Sequence, residues 1–161
     1  MRVAGAIIVA SIGIALLVEP VAAAPPTGPS HCAARDISAV LNSFTAALNR
    51  GDLDALDELF AEKPDFQWYS TDGRIGAAAK RRDTLIAYFR RRHARGERLR
   101  LASSRFTGNS PHYGNFEMLM GRRVPSVAGG DWLPVPGKGA AICHEGETRL
   151  IVMSFGRVGG V

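Results

Sequence analysis

Phe44-Thr-Ala-Ala-Leu-Asn-Arg-Gly-Asp-Leu-Asp-Ala-Leu-Asp-Glu-Leu-Phe60 is two amphipathic helices meeting at a turn. Upstream, Ile37, Val40, Leu41, Phe44 and Leu48 recur at i, i+3, i+4, i+7 and i+11, one apolar stripe that predicts a helix over 33–49. Gly51 is placed to end it in the left-handed conformation, which costs glycine nothing. Asp52 then caps a second helix. Asp54, Asp57 and Glu58 fall in its first turns, where the helix dipole favours negative charge. Leu53, Leu56, Leu59 and Phe60 form its buried side, and Pro64 stops it.

Beyond the turn, Phe66-Gln-Trp-Tyr-Ser70 is aromatic and alternating and predicts a strand. A third helix is expected from Asp83 to Arg95, with Leu85, Ile86 and Phe89 inward and Arg90, Arg91, Arg92 and Arg95 flanking. After Gly96, Arg98–Leu101 and Phe116–Met120 alternate as strands, with the turn cluster Gly108-Asn-Ser-Pro111 between them. Residues 125–138, rich in Pro and Gly, predict a loop. Ala140–Cys143 and Arg149–Phe155 predict a final hairpin around His144-Glu-Gly-Glu147. The order is helix, helix, strand, helix, then antiparallel strands. The expected class is α+β, with helices on one face of a curved sheet.

The phrase Asn49-Arg-Gly-Asp52, with its alanine-rich approach and Leu59-Phe60 exit, resembles the opening of the nuclear transport factor 2-like superfamily. That superfamily includes ketosteroid isomerase and the SnoaL-like polyketide cyclases. The resemblance implies a curved antiparallel sheet wrapped around helices, a cone with an apolar pocket, and dimers formed through the sheet. It does not carry the isomerase site. Aligning the shared phrase puts Phe44 where the isomerase has its oxyanion-stabilising Tyr, and Trp68 where it has its proton-transferring Asp. Phe lacks a hydroxyl to donate and Trp lacks a base, and proton abstraction beside a carbonyl needs both kinds of group. The Asp/His pairs of the cyclase and dehydratase relatives also have no counterpart at matching positions.

Met1-Arg2, the uncharged run Ala6–Val18, the break at Glu19-Pro20 and the small residues Val21–Ala24 follow the order of a secretory signal peptide. The run falls short of the roughly 20 residues that span a bilayer. Cleavage is expected after Ala23. Residues 1–23 are then the signal, 24–31 a Pro/Gly-rich flexible leader, and 32–158 one domain, secreted or periplasmic. Cys32 and Cys143, in an oxidising compartment, are expected to pair. A metal site and a reactive thiol are the competing readings. Four scattered histidines offer no ligand spacing for the first, so no metal or cofactor is expected.

Glu117 is the carboxylate inside an apolar strand. It is either a pocket acid or a solvent-facing partner of an arginine on the next strand. His112, beside Tyr113, is either a proton-transfer group or hairpin-turn chemistry. His93 is either a base or a packed helix-end residue. Phe44, Trp68, Tyr69 and Phe89 are the candidate walls of an apolar ligand pocket, or core. Arg90, Arg91 and Arg92 centre a basic stretch in a chain of formal charge +5. An anionic envelope surface is the partner it would suit, and no nucleic-acid motif accompanies it. Three functional readings follow. One is a non-catalytic binder of a small apolar molecule, and another is a SnoaL-like enzyme with Glu117 or His112 as a relocated acid or base. The last is a structural or interaction domain with a filled cone. The cone interior discriminates. An ionisable group in open volume favours the enzyme, apolar open volume the binder, and filled volume the interaction domain.

Overall fold

The apolar stripe produces α1 (Ala34–Arg50), which buries Ile37, Val40, Leu41, Phe44, Ala47 and Leu48. Gly51 ends it at φ 73°, and its N–H is satisfied by the Leu48 carbonyl. Asp52 caps α2 (Leu53–Glu58), its carboxylate accepting the Ala55 N–H at 3.1 Å. These come from a computed structural model, which describes residues 32–62, 67–70, 82–108, 110, 112–126 and 128–156. The expected signal peptide and leader lie outside the described residues.

The remaining elements are β1 (Gln67–Ser70), α3 (Arg82–Ala94), β2 (Arg98–Gly108), β3 (Tyr113–Arg123), β4 (Leu133–His144) and β5 (Glu147–Phe155). The sheet order is β1-β5-β4-β3-β2. Strands β2 to β5 form an antiparallel meander, and β1 adds to β5 in parallel, Gln67 opposite Val152 and Ser70 opposite Phe155. Register shifts at Leu101/Ser103 and Ala140/Ala141 insert extra residues, which bend a strand and increase its twist. The β4–β5 turn places Glu145 at φ 51° and Gly146 at φ 83°, the two positive values of a two-residue hairpin. The architecture is the expected α+β one, a curved, unclosed sheet with helices on one face.

Two expectations fail. α2 ends at Glu58 rather than at Pro64, because Phe60, expected on its buried side, leaves the helix to bridge Leu150. Residues 133–138 are strand, not loop. Pro134 and Pro136 are tolerated because β5 runs out at the Gly137–Phe155 pair, so β4 beyond it is bordered by β3 alone.

The core lies between α1 and the inner sheet face. Gly114, Phe116, Met118 and Met120 alternate inward along β3. Leu150 and Met153 join them from β5. Phe60 bridges to Leu150, so the exit of α2 is stitched to the sheet. Cys32 and Cys143 form a disulfide with Cα atoms 5.3 Å apart, tying the start of α1 to the end of β4.

Candidate functional site

The interior meets four phenylalanines from four elements. Phe44 on α1, Phe60 after α2, Phe89 on α3 and Phe116 on β3 are each at most 1% exposed. Phe44 meets Phe60 edge-on at 6.4 Å and Phe89 at 5.4 Å, and Phe60 stacks on Phe89 at 6.2 Å. These are favourable aromatic geometries. The candidate walls Phe44 and Phe89 are therefore brought together as ring contacts. Trp68 and Tyr69 stand opposite Met153 and Ser154 along the backbone of β1, and their side chains lie outside what the structure describes.

The candidate acid and base stand apart. Glu117 points to the outer face of the sheet and accepts from Arg105 on β2, Nη2 at 2.6 Å and Nε at 3.1 Å. It is the solvent-facing partner of an arginine, not an acid inside the cone. His112 is exposed in the β2–β3 turn, where its carbonyl accepts the Cys143 N–H at 2.8 Å. His93 is a packed helix-end residue. Its Nδ1 lies 2.9 Å from the Leu48 carbonyl, and its ring sits against Gly51. The pKa of Asp52 is lowered, by the Ala55 N–H and then by Arg50. That is a cap, not a reactive centre.

The basic stretch divides. Arg90 and Arg91 are exposed, but Arg92 is buried, which removes it from the expected anionic-surface patch. The cause is Glu97, itself 2% exposed, which holds Arg92 through both carboxylate oxygens. Arg122 reaches the same carboxylate from β3 at 3.0 and 3.3 Å, and Tyr88 contacts Arg92. Two cations around one buried carboxylate meet the need of a buried charge for a partner. Sequence reasoning missed this cluster. The signal was Glu97 itself, an acid flanked by Gly96 and Arg98 in a basic run.

A groove of about 690 Å³ crosses the outer sheet face. One row across it is Arg105, Glu117, Lys138 and Ser154, consecutive neighbours on β2, β3, β4 and β5. The next row is Ser103, Leu119 and Pro136, with Leu119 38% exposed. A second cleft of about 550 Å³ is lined by Glu62, His144, Glu145, Glu147 and Arg149. Arg149 is committed there to Glu147 and the Glu58 carbonyl. Among the described residues no group of three potential metal ligands converges.

No family model matches the chain, and no curated protein matches it. Solved structures do. A nuclear transport factor 2-like protein of unknown function from Shewanella oneidensis superposes with a TM-score of 0.61 at 14% identity, covering 75% of this chain and 96% of its own. A Xanthomonas campestris protein provisionally described as a calcium/calmodulin-dependent protein kinase II association domain gives 0.65 at 16% identity, over 86% and 95%. A Streptomyces avermitilis protein of the nuclear transport factor 2-like family, provisionally described as a dehydratase, gives 0.62 at 13%, over 78% and 96%. The fold is the nuclear transport factor 2-like, cystatin-like one.

Proposed function

We propose that this nuclear transport factor 2-like fold serves as an exported, non-catalytic association domain, in which two copies pack through the outer face of the sheet. The observation that carries the reading is the exchange of interior for exterior. Phe44, Phe60, Phe89 and Phe116 are buried in the interior, the first three in ring contact, while an open groove lies on the outer sheet face. The row Arg105, Glu117, Lys138 alternates in sign, which makes it self-complementary. A two-fold axis lying in the interface between β3 and β4 sets Glu117 of each copy opposite Lys138 of the other, with Leu119 and Pro136 alongside as the apolar part. An isologous interface needs this property of presenting both halves of each contact on one patch. The fold accommodates assembly as readily as catalysis, since its neighbours include proteins described as an association domain and as a dehydratase. Export accords with the disulfide and with the signal-like opening.

Light scattering on the chain beginning at Ala24 tests the reading. A dimer that Leu119→Arg or Lys138→Glu converts to monomer is the expected result. A wild-type chain that stays monomeric at high concentration sinks the proposal.

A further inference from the structure

Arginines gather on the outer sheet face at the end away from the hairpin turn. Arg98 on β2 stands directly opposite Arg123 on β3, and Arg100 follows two residues on, opposite Gly121. Among the described residues none of the three forms an ion pair; the charged end of Arg98 reaches only the Glu97 carbonyl, at 2.8 Å. Like charges directly opposite one another weaken a strand pair. The contrast lies on the same two strands, where Arg105 and Glu117 are matched and bonded. Sheet stability therefore does not explain Arg98 beside Arg123. The acids nearby do not cancel the cluster. Glu97 is buried and shared between Arg92 and Arg122, and Asp131 is a single exposed carboxylate on the adjoining loop. On the other side, the turn after α3 brings exposed Arg95 within three residues of Arg98.

An exposed aromatic completes the patch. Trp132 is 36% exposed, and its ring carries the Arg100 guanidinium 4.5 Å from its centre. A Cβ on Gly121 would lie 2.9 Å from Arg100 and 3.2 Å from Trp132, so this glycine makes room for the pair. An exposed indole beside unpaired arginines suits a boundary that is anionic outside and apolar beneath.

We propose that Arg98, Arg100, Arg123 and Trp132 form a docking surface for a membrane leaflet containing anionic phospholipid. Arginines engage the headgroup phosphates, which they match as bidentate donors, and Trp132 enters the interfacial layer. The patch spans the Arg100 and Arg98–Arg123 rows, about 13 to 20 Å along β3 from Glu117.

The test uses the chain from Ala24 and two vesicle types, phosphatidylcholine alone and phosphatidylcholine with phosphatidylglycerol. Binding to the second only, weakened by salt, is expected. The triple variant Arg98→Gln, Arg100→Gln, Arg123→Gln should lose about a hundredfold in binding. Its Tm should hold or rise, because it removes repulsion. Arg35→Gln, a control on the exposed start of α1, should bind as wild type, and Trp132→Ala should bind anionic vesicles less tightly. Equal binding to both vesicle types overturns the proposal, and so does a triple variant that binds as wild type. Retention on soluble dextran sulfate without vesicle binding overturns it too, and assigns the patch to an anionic polymer. Should the triple variant unfold, Arg100→Gln and Trp132→Ala are measured singly. Weaker binding of both to anionic vesicles supports the docking surface, and wild-type binding of both overturns it.

Discussion

Asn49, Gly51 and Asp52 each have a backbone task, which is why their phrase marks the fold and says little of chemistry. The Asn49 side chain pairs with Leu99 as a strand would, donating to its carbonyl at 2.7 Å and accepting its N–H at 2.9 Å. Gly51 supplies the left-handed cap and also the seat of His93, whose Nε2 would lie 2.6 Å from an added Cβ. The first task is legible from spacing. The second is not, because the ring arrives from the end of α3. Gly51→Ala should lower stability by about 1–2 kcal/mol through the left-handed strain alone, and further through the clash. In a His93→Ala background the same substitution should cost less, which a double-mutant cycle by urea denaturation reads directly. Asp52 carries a pH signature. Its folded pKa is depressed below 3.8, so its stabilisation is complete above the unfolded value and disappears as pH falls through the depressed one. Asp52→Asn keeps a cap that does not titrate, and should flatten the acid limb of a Tm-against-pH curve while changing neutral Tm little. Glu97 is the residue whose loss should be felt most. Glu97→Ala leaves Arg92 buried without its carboxylate, and should cost about 3–5 kcal/mol in denaturant unfolding.

At the scale of elements, α1 and α3 follow their apolar spacing to within a residue, while α2 ends at Glu58, short of Pro64, because Phe60 leaves the helix to bridge Leu150. The failure at β4 has a clear cause. Leu133-Pro-Val-Pro-Gly-Lys-Gly139 has the composition of a loop, and local propensity has no knowledge of which neighbours a strand will have. Its glycines are not turn residues; they admit side chains from β3. A Cβ at Gly139 would lie 2.5 Å from the Phe116 ring and 2.3 Å from the Val152 carbonyl. At Gly137 it would meet the flexible end of Met118 at 2.6 Å and the Ser154 carbonyl at 2.8 Å. Gly139→Ala should therefore destabilise by about 1–3 kcal/mol, with Gly137→Ala costing less because Met118 can swing aside. Thermal melts of the two variants side by side check the order.

At the scale of the whole molecule, the cysteine pair was legible because two lone cysteines in an export-type chain have few alternatives. The site was less so. Phe44 and Phe89 read equally as pocket wall or core, since both are apolar and sit on buried stripes; only packing around Phe60 distinguishes the two. Glu117 reads as the solvent-facing partner of an arginine before it reads as an acid, and one residue of register decides the face on which it emerges. The disulfide closes a loop of 111 residues in sequence separation. On the chain-entropy model, its removal by Cys32→Ala with Cys143→Ala should cost about 4–5 kcal/mol, measured against wild type in urea. The strand order has a separate kinetic consequence. β5 follows the other described strands in the chain, yet it sits inside the sheet between β1 and β4. The pairing of β1 therefore waits for β5, and its contacts are long-range in sequence, Gln67 opposite Val152. Such long-range pairing slows folding, because loop closure must be met before any contact rewards it. A nascent chain stopped before Glu147 holds both cysteines and offers β1 no strand to join. Completion of the sheet thus waits for β5, and a polypeptide that folds late can be threaded across a membrane before it does so.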